Sequence, residues 1–232
     1  VEIDKKKNIL NAIGLNTASL SNLDIDKYFT DNIDTLIIDG ISVVQGMIKV
    51  STAGSMYELE IVAFEPQLAA DVAHAVMEEL DKHQDVVVRA LSAKDIEDAK
   101  RAGKFAMVYL SQDASILNGE LAMLRMFFDL GLRVLQLTHD TRNQVGNGYR
   151  DRNDGTLSHF GVDVVERCNE LGILIDLSHC GDKTTLDAIA ISRQPCVFTH
   201  VGCRALYRSL RNRTDQQIRA LADKGGVVGI FN

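Results

Sequence analysis

From about Asp34 onward, short apolar runs alternate with longer amphipathic stretches. This is the rhythm that βαβ units leave around a parallel sheet. The predicted strands are Thr35–Asp39, Tyr57–Phe64, Phe105–Leu110, Arg133–Thr138, Ile173–Ser178, Cys196–His200 and Gly226–Phe231. Runs such as FAMVYL and ILIDL are almost continuously hydrophobic, as strands covered on both faces should be. Val86–Arg89 reads as a lead-in to the next helix rather than a core strand.

Helical stretches separate these runs. Pro66 opens one that reaches about Lys82, and a proline in the first turn costs no hydrogen bond. Ser92 followed by Asp95 resembles a capping box. Asn118–Leu130, Ser158–Leu171, Lys183–Ser192 and Thr214–Lys224 follow, and Gly103, Gly131, Gly172 and Gly225 stand where left-handed caps are expected. The predicted strands number seven, and the chain stops at Asn232 directly after the last. A closed barrel needs eight. The expected fold class is therefore an α/β, TIM-type (β/α) barrel with its eighth strand missing. On this reading residues 1–232 form one barrel domain, cut short at its C-terminal end, and residues 1–33 a polar helical extension.

Composition narrows the function classes. The 232 residues are 46% hydrophobic and 25% charged, ordinary values for a soluble globular chain. A formal net charge of -7 argues against a nucleic-acid binder, which would carry a basic face. No run of about 18 apolar residues suggests a membrane span. Val1 to Leu10 is polar and lysine-rich, unlike a signal peptide. Cys168, Cys180, Cys196 and Cys203 match no zinc-binding or disulfide spacing, so free thiols and a cytoplasmic setting are expected.

In a parallel barrel the reactive groups sit at the C-terminal ends of the strands. Three of the six histidines fall there: His139 after VLQLT, His179 after LIDLS and His200 after CVFT. A single strand-end histidine is more often a satisfied core or turn residue. Three in consecutive units favour a metal or acid–base site, since imidazole is a common zinc ligand. His74, His83 and His159 fall in helical or linker segments and read as surface residues.

From Gly131 to Gly229 the chain resembles the membrane (renal) dipeptidase family of zinc metallopeptidases. The resemblance rests on LGLRVLQLTH, NQVGNGYRDRNDGTLSHFG, NELGILIDLSH, QPCVFTHVGCRAL and LRNRTDQQIRALADKGGVVGI, in the family's order and spacing; the first 130 residues match only loosely. It implies that His179 and His200 hold a zinc ion, that His139 contacts the substrate and stabilises a tetrahedral intermediate, and that Arg211 binds the substrate carboxylate. Without the family, Arg211 reads as a solvated charge beside Arg208 and Arg213. Asp154 and Asp176 either orient ligands or cap turns at the barrel rim.

Departures from the family pattern bear on the metal. The Asp-Gly-His-x-Asp motif after the first strand is here DGISV: Asp39 and Gly40 fit, but Ile41 and Val43 stand at the two ligand positions. The bridging glutamate is replaced by Gln112, with Asp113 beside it. Aliphatic side chains cannot bind a metal, and an amide binds poorly. The expectation is one weak zinc site at His179 and His200, with Gln112 or Asp113 assisting, rather than the family's two ions. The chain is thus expected to be a dipeptidase-type hydrolase acting on a dipeptide or small amide, possible as a homodimer. The alternative is an inactive relative kept as a binding or assembly subunit.

Overall fold

The structure is a computed structural model that describes residues 48–53, 56–61 and 83–230. The predicted strand Thr35–Asp39, the predicted helix Pro66–Lys82, the N-terminal extension, and Ile41 and Val43 lie outside the described residues. The chain divides into two compact units, residues 1–89 with 93–107 and residues 90–92 with 108–232.

In the first unit, β1 (Ile48–Ala53) pairs antiparallel with β2 (Met56–Ile61), Ala53 opposite Met56. The sequence pattern found β2 but missed β1 and the pairing. Only two residues separate the strands, and so short a connection joins antiparallel neighbours only; a parallel neighbour needs a crossover of about a dozen residues or more. Val87–Arg89 (β3) is a strand after all, parallel to Phe105–Met107 (β4), with helix α1 (Ala93–Arg101) between them in the chain. Three residues are too few to show a periodicity, so the partner strand, not the local pattern, makes Val87–Arg89 extended.

The second unit is a five-stranded parallel sheet whose spatial order follows the chain, β5-β6-β7-β8-β9. Tyr109–Ser111 (β5) leads through a 3-10 turn at Ala114–Leu117 to α2 (Met123–Asp129) and β6 (Leu132–Gln136). Then come α3 (His159–Leu171), β7 (Leu174–Asp176), α4 (Asp182–Ile191), β8 (Val197–Val201), α5 (Asp215–Asp223) and β9 (Val227–Ile230). The single strand expected over Phe105–Leu110 is broken at Val108: its first part pairs with β3, its second with β6. The helix expected from Asn118 begins only at Met123, because Asn118 (φ 49°) and Gly119 (φ 79°) are left-handed and end the preceding turn.

Where capping residues are present the helices keep to them. The Ser158 hydroxyl accepts a hydrogen bond from Gly161 N at 2.9 Å, and α3 closes on left-handed Gly172. Thr214 and Gln217 form a reciprocal capping box at the start of α5. The core lies where strand and helix faces meet: Leu132, Leu135, Leu137, Ile175, Leu177 and Phe198 from the sheet side and Val164, Val165, Ala188 and Leu221 from the helices are all buried. Burying each of the larger ones contributes roughly 1.5–3 kcal/mol. This packing holds the C-terminal ends of β5 to β8 side by side, so whatever follows those strands is brought together.

Candidate metal centre

His139 follows β6 by three residues, His179 follows β7 by three, and His200 lies near the end of β8. The sheet turns these separate positions into one cluster. His139 and His179 stack with ring centroids 4.1 Å apart and planes 19° from parallel, and the His200 ring lies 5.0 Å from that of His179. The Nε2 atoms of His179 and His200 are 2.9 Å apart.

The remaining ring nitrogens reveal how this pair is set. Asp176, fully buried at the end of β7, accepts the hydroxyls of Ser178 and Thr199, each at 2.6 Å, and the backbone N–H groups of both residues. With the Thr199 proton spent on Asp176, His200 Nδ1, 2.7 Å from Thr199 Oγ1, must be the donor in that contact. His179 Nδ1 lies 3.2 Å from Asp140 Oδ1, and a carboxylate only accepts. Both rings are thereby assigned as Nδ1–H, which leaves a lone pair on each Nε2. Two lone pairs facing each other at 2.9 Å repel unless a proton or a cation sits between them. A proton is disfavoured: burial holds the His179 imidazole down to about 2, and the Arg211 guanidinium, the His139 and His200 rings and Arg213 push the same way. The nearby Asp140 carboxylate does not offset this, so the His179–Asp140 contact is a hydrogen bond rather than an ion pair. The donor set therefore fits a divalent cation that takes imidazole nitrogen. Among the described residues one group of three potential ligands converges, His139, Asp140 and His179, with atoms within 4.8 Å of one another.

Arg211 reaches the same place from the loop before α5. Its guanidinium donates to Ser178 O, and to His200 O at 2.8 Å. Both acceptors are neutral, and among the described residues no carboxylate pairs with it. Burial lowers its pKa, although a guanidinium stays protonated. The Asp176 and Asp140 carboxylates act on it only through space, so no ion pair takes up its remaining donors. Arg213, two residues on, is wholly buried and holds Cys180 O at 2.7 Å and Arg211 O at 3.1 Å, which fixes the loop.

The acidic and amide candidates divide. Gln112 stands just past β5, where its carbonyl accepts Gln136 Nε2 at 2.5 Å. The Asp113 carboxylate is engaged by the loop, accepting Ser115 N, Asn143 Nδ2 and, at 2.9 Å, the backbone N–H of His139. Asp154 accepts Lys183 N at 2.8 Å in the first turn of α4, the turn-capping alternative. For Asp176 the two alternatives coincide: it anchors the strand ends and contacts Thr199, which in turn meets His200 Nδ1. Sequence reasoning missed Asp140 and Thr199. Each adjoins a strand-end histidine, and that adjacency was the available signal.

Residues 39–232 match the family described as membrane dipeptidase, peptidase family M19, and the chain belongs to that family. A protein in the pqqA 5' region of Klebsiella pneumoniae is 34% identical over 163 residues, 67% of this chain and 60% of its own length. Dipeptidase verJ of Clonostachys rogersoniana is 27% identical over 159 residues, covering 68% of this chain and 40% of that one. This chain thus spans less than two thirds of the length of these relatives. Among solved structures, an amidohydrolase from Pseudomonas aeruginosa aligns with a TM-score of 0.68 at 34% identity, over 71% of this chain and 50% of its own. A metallopeptidase from Rhodobacter sphaeroides, liganded with a phosphinate mimic of the dipeptide L-Ala-D-Ala, aligns at 0.67 and 26% identity, over 71% and 49%. The parallel α/β architecture is that of these barrel-like enzymes, and the family implies a metal. No helix among the described residues is long and apolar enough to cross a membrane.

Proposed function

We propose that this chain carries a single-zinc site of dipeptidase type, acting on a dipeptide or a related small amide. The observation that carries this reading is the pair of Nε2 atoms of His179 and His200, 2.9 Å apart with both Nδ1 atoms hydrogen-bonded elsewhere. These two residues would hold the ion. Zinc, when bound, supplies Lewis acidity toward a carbonyl and makes water more acidic.

The chain's own residues do the rest. Arg211, anchored through two of its five donors, keeps the others for a substrate carboxylate and fixes the dipeptide's free end. His139, half-exposed and stacked on His179, stands beside the reacting carbonyl and donates from Nε2 to the oxygen as negative charge develops there. The Asp140 carboxylate lies 3.4 Å from its Nδ1. Gln112, neutral at the end of β5, adds no charge to the ion, which favours one ion over two.

The test is metal content. Protein purified without chelator should carry about one zinc per chain, lost in His179→Ala, and should hydrolyse dipeptides only when loaded. No zinc in either protein would sink the hydrolytic reading and leave a barrel that binds or assembles.

A further inference from the structure

We propose that Asp140 is a positioning residue that sets the hydrogen tautomer of His179 and takes over part of the anionic environment that family members draw from carboxylate ligands. This rests on the single-zinc reading above.

Oδ1 of Asp140 is 3.2 Å from Nδ1 of His179 and 3.4 Å from Nδ1 of His139. One oxygen thus accepts from the His179 ring and also lies near the same ring position of the stacked His139. For His179 the consequence is definite: with its proton held on Nδ1, Nε2 carries the lone pair, and Nε2 is the atom that faces His200. Without the carboxylate, a neutral imidazole in water-poor surroundings is free to place its proton on Nε2 and donate to the His200 lone pair instead. That alternative closes the cation site from within, by a hydrogen bond between its two ligands.

Asp140 is itself held. Its Oδ2 is 3.3 Å from Arg150 Nη1, its carbonyl accepts Arg150 N at 2.9 Å, and its side chain stays mostly covered. By the resemblance, Val43 and Gln112 stand where an aspartate and the bridging glutamate are expected, so two carboxylates that would help neutralise a divalent ion are replaced by neutral side chains. Asp176, behind Thr199, and Asp140, behind His179, stand one hydrogen-bonded step from the ligand atoms. Outer carboxylates of this kind raise imidazole basicity and commonly change metal affinity 10- to 100-fold.

The experiment uses the full chain, its Asp140→Asn and Asp140→Ala variants, and two readouts. The first needs no metal: long-range 1H–15N NMR of the imidazoles reports which ring nitrogen carries the proton. His179 should be Nδ1–H in the parent chain and shift toward Nε2–H in Asp140→Ala. The second is zinc(II) affinity by competition with a chromophoric chelator, backed by the cobalt(II) absorption spectrum. Asp140→Ala should bind zinc about 10- to 100-fold more weakly. Asp140→Asn, which keeps one acceptor but no charge and nearly the same shape, should hold the Nδ1–H tautomer and lose a smaller part of the affinity. An unchanged tautomer, or variants that bind zinc as tightly as the parent with the same cobalt spectrum, overturns the proposal and leaves the single-zinc reading intact. A parent chain that binds no zinc removes the reading, while the tautomer result still decides what Asp140 does.

Discussion

Thr199 touches no expected substrate atom, yet the geometry makes it a linchpin between a buried acid and a ring. It spends its one proton on Asp176 and accepts the Nδ1 proton of His200. Thr199→Val keeps the shape and removes both bonds. Zinc affinity, read by chelator competition, should fall about 10-fold or more, and stability by about 1–3 kcal/mol as buried groups lose partners. A variant that matches the parent in both would show the relay to be idle. The pH dependence follows from His179. The unfolded residue takes up a proton near its ordinary 6.5, whereas the folded one refuses it down to about 2. Between those values the unfolded chain binds more protons, so stability rises with pH and is lost as pH falls below 6.5. The slope is at most about 1.4 kcal/mol per pH unit. Urea midpoints of metal-free protein between pH 7 and 5 should therefore fall more steeply for the parent than for His179→Gln. Equal slopes would mean that His179 titrates normally. The strand-end histidines were legible in the sequence because a parallel sheet dictates where reactive groups collect. Asp140 was not, because a charged residue after a strand looks the same whether it turns the chain or faces a ring that lies 39 residues away.

Helix ends in this chain behave as their capping chemistry dictates, and this sets two opposite expectations for alanine. Thr214→Ala breaks the capping box of α5 and should cost about 1 kcal/mol, seen as a lower urea midpoint at unchanged slope. Glycine to alanine inside a helix ordinarily stabilises, but an added Cβ on Gly161 would stand 2.1 Å from Val145 O. Gly161→Ala should thus destabilise by about 2 kcal/mol despite its better helix propensity. A gain in stability would mean that α3 does not press on that loop. The same contrast explains which elements were legible. α3 and α5 begin within a residue of their predicted starts because Ser158 and Thr214 carry local, readable bonds. α2 starts five residues late because two left-handed residues precede it, the Asn-Gly pair at Asn118 and Gly119. β3 and the break at Val108 depend on partner strands, which a single stretch of sequence does not contain.

At the scale of the whole molecule, the sheet order β5-β6-β7-β8-β9 makes the candidate metal centre a property of assembly rather than of any segment. A cation that binds only the folded chain stabilises it by about 2.7 kcal/mol at a free concentration of 100 Kd. For a chain of this size that raises Tm by about 5–10 °C. Calorimetry with zinc should show the rise and EDTA should reverse it; an unmoved Tm would mean that no site forms. The strand-helix alternation and the strand-end positions were thus visible from pattern alone, while the contacts that tune them were not. Those contacts join residues far apart in the chain: His179 and His200 are separated by 21 residues, Asp176 and Thr199 by 23, Asp140 and His179 by 39. Loop-closure entropy must be overcome before such contacts form, so the His179–His200 pair does not exist until β7 and β8 have already paired. An ion at this proposed site would therefore arrive too late to guide folding. Its influence would fall on the way out, lengthening the lifetime of the folded state and leaving the refolding rate as the bare chain sets it.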